Sequence, residues 1–92
     1  MTAAQLRAAR ALIRMEQVQL AEKAGISLAS VKRFEAMDGE IQARAGTVEA
    51  LRRALEEAGV EFTNGSQPGV RIRSALAGQS IPPDQLTAEN DG

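Results

Sequence analysis

Apolar residues recur at helical spacing through the first two thirds of the chain and at alternate positions after that. Thr2, followed three residues later by Gln5, has the form of a capping box. Behind it Leu6, Ala9, Leu12 and Ile13 repeat with a period near 3.6. This spacing predicts a first helix over 3–13, with Arg7, Arg10 and Arg14 on its other faces. Val18, Leu20, Ala21 and Ala24 predict a second, short helix over 17–24. Gly25 stops it, because glycine enters the left-handed region without a Cβ penalty. Ser27 suits the N-cap of a third helix, 28–36, whose inward residues are Val31 and Phe34. Asp38-Gly39 is a turn, and 39–46 reads as a loop anchored by Ile41. Thr47 then caps a fourth helix, 48–58, with Val48, Leu51, Leu55 and Ala58 as its apolar stripe and Gly59 as its end.

Beyond Gly59 the period changes to two. Val60 and Phe62 flank Glu61, and Val70 and Ile72 alternate with Arg71 and Arg73; between them lies TNGSQPG, dense in turn residues. The pattern predicts a β-hairpin over 60–73 with a seven-residue connection. One face carries Val60, Phe62, Val70 and Ile72, and the other pairs Glu61 with Arg71 or Arg73. An isolated hairpin is marginal in water and has open edges, so the apolar strip is expected either to form a dimer contact or to lean on its own fourth helix. Residues 74–92 hold only Leu76, Ile81 and Leu86 as large apolar groups around Pro82-Pro83, too few to offset ordering entropy, and are expected to be disordered. The organisation is thus a helical domain at 1–59, a hairpin at 60–73 and a tail at 74–92.

Composition sharpens the fold class. Of the 40 apolar residues 17 are alanine, and Leu, Ile, Val and Phe together number 20 of 92, so the core is thin and suited to close helix packing. The chain has no cysteine and no histidine, which excludes disulfides and thiolate metal sites and removes the commonest general base and metal ligand. No apolar run approaches a membrane span, and the N-terminal stretch lacks the apolar core of a signal peptide, so a cytoplasmic location is expected. All 11 basic residues lie within 1–73, against nine acidic ones; 74–92 holds Asp84, Glu89 and Asp91 and no base.

The informative stretch is QVQLAEKAGISLASVKRFE, residues 17–35. Two short helices joined by a glycine-containing turn make a helix-turn-helix unit. Ala21 is small where the helices cross, and Leu20, Ile26, Val31 and Phe34 fill the shared core. Leu28, Ala29, Lys32, Arg33 and Ala36 are left on an outward face of a size and charge suited to a major groove.

Through Gln17, Leu20-Ala21, Ala24-Gly25-Ile26-Ser27, Val31, Phe34-Glu35 and Gly39 the chain resembles the lambda-repressor-like family of Cro-type or XRE-type helix-turn-helix domains, over roughly residues 3–58. The resemblance implies an all-α fold of four helices, here with a C-terminal β-hairpin added. It implies that Gln17 contacts a DNA phosphate, with Ser30 at a second backbone-contacting position, and that Ser27, Leu28, Ala29, Lys32 and Arg33 face base edges. It also implies a structural ion pair between Arg10 and Glu35. The chain departs from many relatives at Leu28 and Ala29, which cannot hydrogen-bond a base but can touch a thymine methyl group, leaving polar reading to Lys32 and Arg33.

The function expected on this basis is sequence-specific binding of double-stranded DNA by a transcriptional regulator, most simply a repressor, of bacterial or phage type. A homodimer on a palindromic operator is expected, with half-sites about 34 Å apart or a multiple of that. The alternative is a protein-binding module of the same fold, an antitoxin or antiactivator, that does not need DNA. An enzyme is not expected: no nucleophile has a base beside it, GSQPG lacks the lysine of a phosphate loop, and no cofactor or metal is implied.

Overall fold

Thr2 starts the first helix as its pattern requires. Its hydroxyl accepts from the Gln5 N–H at 3.0 Å while the Gln5 side chain accepts from the Thr2 N–H at 2.9 Å, closing the capping box on α1 (Ala3–Ile13). The computed structural model describes residues 1–63 and 68–73. Within them follow α2 (Gln17–Ala24), α3 (Leu28–Glu35), α4 (Ala45–Glu57), β1 (Val60–Thr63) and β2 (Gly69–Ile72). The described residues form four helices and a two-stranded antiparallel hairpin. Among the described residues no helix is long and apolar enough to cross a membrane.

The first three helices lie where periodicity put them, to within a residue. Arg14 joins α1 to α2 in the left-handed region at φ 54°, a conformation a side chain resists. Gly25 does the same after α2 at φ 73°, and the Ile26 N–H then reaches back to the Ala21 carbonyl at 3.0 Å. Ser27 caps α3 through the Ser30 N–H. The fourth helix departs from expectation. It begins at Ala45 with Arg44 as N-cap, so Thr47 lies inside the first turn and does not cap. Ala45 is a strong helix former, and the extra turn gains the Val48 N–H to Arg44 carbonyl bond at 3.1 Å.

The core is built where these helices meet. Leu6, Leu20, Val31, Leu51, Leu55 and Val60 are fully buried, and Ala3, Ala9, Ala21 and Ala54 fill the close crossings between them. Ile41 is buried as the anchor of the loop after α3. That loop is tied to the N-terminus by the Ala3 N–H to the Gly39 carbonyl and the Ile41 N–H to the Met1 carbonyl. Two expected core residues face outward: Leu12 is 40% and Val18 43% exposed. On α1 the half-buried Ile13 takes the place expected of Leu12, and on α2 the inward arc runs through Leu20 and Ala21 and leaves Val18 to one side.

The hairpin pairs Val60 with Ile72, Glu61 with Arg71, Phe62 with Val70 and Thr63 with Gly69. Each strand therefore runs one residue closer to the turn than alternation suggested, with Thr63 and Gly69 of the expected seven-residue connection paired in the ladder. Arg71 is the partner of Glu61, at 2.6 Å, while Arg73 donates to the Glu56 carbonyl at the end of α4 at 2.8 Å. The hairpin leans on its own chain, packing on α1 and α4. Val60 is sealed in the core and Phe62 and Val70 are half-buried against it. Of the four residues of the expected dimer contact, Val60 is buried, Phe62 and Val70 are half-buried, and Ile72, 51% exposed, is the most open to solvent. Residues 64–67, and the tail 74–92 expected to be disordered, lie outside the described residues.

Candidate functional site

The site is organised by one carboxylate. Glu35, at the end of α3, is buried, and it receives a fork from Arg10 on α1: Nε to Oε2 at 2.6 Å and an Nη to Oε1 at 2.9 Å. The other Arg10 Nη donates to the Met15 carbonyl at 2.8 Å, fixing the joint between α1 and α2. From α2 the Gln17 amide donates to Glu35 Oε1 at 2.9 Å, and Arg7 donates to the Glu35 main-chain carbonyl. Three helices are thus held in one polar knot beneath α3. Burial pushes the Glu35 pKa up; the hydrogen bonds from Arg10 and Gln17 and the charges of Arg10 and Arg7 outweigh it and hold the carboxyl below its ordinary value. The Glu35 hydrogen bond and charge raise the Arg10 pKa despite partial burial. The pair expected from Arg10 and Glu35 is present, and Gln17 is part of the same knot. One Gln17 amide N–H is committed to Glu35, leaving the other for an outside acceptor.

With Val31, Phe34 and Glu35 turned inward, α3 presents Ser27, Leu28, Ala29, Lys32 and Arg33 to solvent. These are the five residues expected to face bases, and they share one exposed surface. Ser27 is the most constrained of them: its hydroxyl accepts from the Ser30 N–H at 3.0 Å and donates to Ser30 Oγ at 2.9 Å. Ser30, half-buried, keeps its own O–H free to donate outward. Leu28 is 37% exposed, apolar area at the leading end of the helix. Neither Lys32 nor Arg33 forms an ion pair among the described residues.

A cleft of about 420 Å³ opens beside α3, between it and the start of α4. Arg33 and Ser30 line one wall, Arg44 and Thr47 the other, with Gln42 between. Arg33 is drawn to this side: its guanidinium lies over the Phe34 ring, 5.0 Å from the centroid. Arg44 and Thr47 are residues of this cleft that the sequence pattern does not single out, because it starts the fourth helix at 48 and makes 39–46 a loop. Alanine at 45 and glycine at 46 carry no cue to chemistry. No protein-family model matches the chain, and no curated protein matches it.

Proposed function

We propose that this chain is a sequence-specific binder of double-stranded DNA, a helix-turn-helix protein of lambda-repressor-like type acting as a transcriptional regulator, most simply a repressor. The observation that carries this reading is the exposed α3 face, with Lys32 and Arg33 free of ion pairs among the described residues, held by the Arg10–Glu35–Gln17 knot behind it. A rigid helix with unneutralised cations and half-free polar groups at Gln17 and Ser30 suits insertion in a major groove, with backbone contacts at its rim. The proposed setting is the cytoplasm of a bacterium or the host of a phage. The proposed working form is a homodimer on a palindromic site, because one α3 spans too few base pairs for useful specificity. Binding, with no catalysis and no cofactor, is the proposed role.

Selection from a pool of random duplexes tests it. A recovered consensus with two inverted half-sites supports the reading, and recovery of no sequence above background overturns it. The exposed Leu28 beside Ala29 favours a second reading, a protein-binding module using the same face. Passage through immobilised heparin without retention at low salt would select that reading, whereas retention that falls steeply with salt selects nucleic acid.

A further inference from the structure

The leading end of the α3 surface presents apolar side chains. Leu28 and Ala29 are both exposed there, Leu28 to 37%, and neither side chain has a donor or an acceptor. Ser27 stands beside them, but its hydroxyl is engaged within the protein: it accepts from the Ser30 N–H at 3.0 Å and donates to Ser30 Oγ at 2.9 Å. One turn on comes Lys32, four residues from Leu28 and three from Ala29, exposed and without an ion pair among the described residues. The only carboxylate of α3, Glu35, is buried and bonded to Arg10 and Gln17. The helix thus joins an apolar patch to cations and brings no exposed acid to them, which suits a polyanion that carries a small apolar group.

We infer that Leu28 and Ala29 form a subsite for the C5-methyl group of a pyrimidine base, so that 5-methylcytosine is accepted in place of thymine while unmethylated cytosine binds less tightly. The inference rests on the DNA-binding reading and adds the chemical group that the start of α3 recognises. Of the groups that base pairs display in the major groove, the thymine methyl is the apolar one. The others are hydrogen-bond donors and acceptors, which lose water against a leucine and gain no partner. 5-Methylcytosine carries the same methyl on the same ring carbon. A patch with no donor or acceptor reads that methyl and not the exocyclic group beside it, O4 in thymine and N4 in cytosine. The contact is therefore common to the two bases, and methylation of a cytosine at that position switches it on. Lys32 is the polar neighbour of this subsite. At this helical spacing Cβ atoms lie about 5–6 Å apart, and successive bases rise by about 3.4 Å, so Leu28 and Lys32 address adjoining base pairs. A lysine, with donors alone, suits guanine O6 and N7.

The test uses the full chain and the duplex recovered by selection. Each thymine is replaced in turn by uracil, which removes the methyl and keeps the pairing. Each thymine–adenine pair is also exchanged for a cytosine–guanine pair, with and without the C5-methyl. At one position per half-site, uracil is expected to weaken binding about fourfold, the worth of one buried methyl group. At the same position 5-methylcytosine is expected to bind about fourfold tighter than cytosine. Leu28→Ala removes most of the patch from an exposed position and is expected to bring both ratios close to one. Lys32→Ala is expected to weaken binding and leave both ratios as they were. A recovered site lacking thymine, uracil without effect at every thymine, or ratios unchanged in Leu28→Ala overturns the methyl subsite and leaves DNA binding intact. A methyl effect lost in Lys32→Ala and kept in Leu28→Ala overturns it too. Failure of the selection to recover any sequence removes the DNA-binding reading, and the subsite with it.

Discussion

Glu35 is the residue on which most depends, because it is charged, buried and shared by three helices. Arg10→Ala leaves its carboxylate buried with fewer partners, and is expected to cost about 3 kcal/mol, the low end for such pairs because Arg10 is itself partly exposed. Urea titration measures this, and the double replacement Arg10→Met with Glu35→Leu is expected to recover much of the loss. The pH dependence has a definite sign. The folded pKa of Glu35 lies below the unfolded value of about 4.3, so its stabilisation is fully present above that pH and is lost as pH falls through the folded value. Stability curves for the native chain and for Glu35→Gln are therefore expected to differ most at neutral pH and to converge in acid; a constant gap would show that the carboxylate charge is not the stabilising element. At Arg14 the left-handed backbone opposes the side chain, and Arg14→Gly is expected to raise stability by about 0.5–1 kcal/mol in the same assay.

At the scale of elements, the hairpin is held by one side chain that serves two ends. Gln5 is 5% exposed; its oxygen completes the capping box of α1, and its Nε2 donates to the Thr63 and Gly69 carbonyls at 3.2 and 3.1 Å. The pair Thr63–Gly69 closes the sheet next to the connection, so Gln5 clasps the hairpin at its turn end while the Arg73 to Glu56 carbonyl bond holds the other. Gln5→Ala leaves two carbonyls with one fewer donor and removes half a capping box, an expected cost of about 1–3 kcal/mol. Hydrogen exchange distinguishes the two losses. Faster exchange across β1 and β2, with α1 amides beyond the first turn unchanged, is the expected pattern; acceleration confined to the start of α1 would show that the clasp carries little weight.

For the whole molecule, oligomeric state and charge asymmetry set the expectations. Ending the chain at Gly59 removes Val60 from the core and would confound association with unfolding. Ile72→Lys changes the exposed end of the strip alone and is the cleaner probe. If the hairpin joins two copies, sedimentation of this variant shows a shift toward monomer; an unchanged association state places the contact elsewhere. Residues 74–92 carry three acids and no base, so removing them is expected to raise DNA affinity slightly and leave the preferred sequence unchanged, by repulsion from the backbone. Altered sequence preference after the truncation would show that this segment takes part in reading or pairing.

Elements with local causes were legible in the chain itself. A capping box, a glycine stop and a 3.6-residue period are contained within a few neighbouring positions, and they located α1, α2 and α3; the Arg10–Glu35 pair that joins α1 to α3 was expected from the family resemblance alone. The alternation that revealed the hairpin is equally local, and the ladder adds only the Thr63–Gly69 pair to it. What depended on long-range packing could not be read this way. The solvent-facing placement of Leu12 and Val18, the burial of Val60, the clasp from Gln5 and the choice of Arg71 over Arg73 are all set by segments distant in sequence. The start of α4 decided the candidate site, since it brought Arg44 and Thr47 opposite Arg33. A helix pattern specifies which residues share a face; only the assembled core specifies what that face meets.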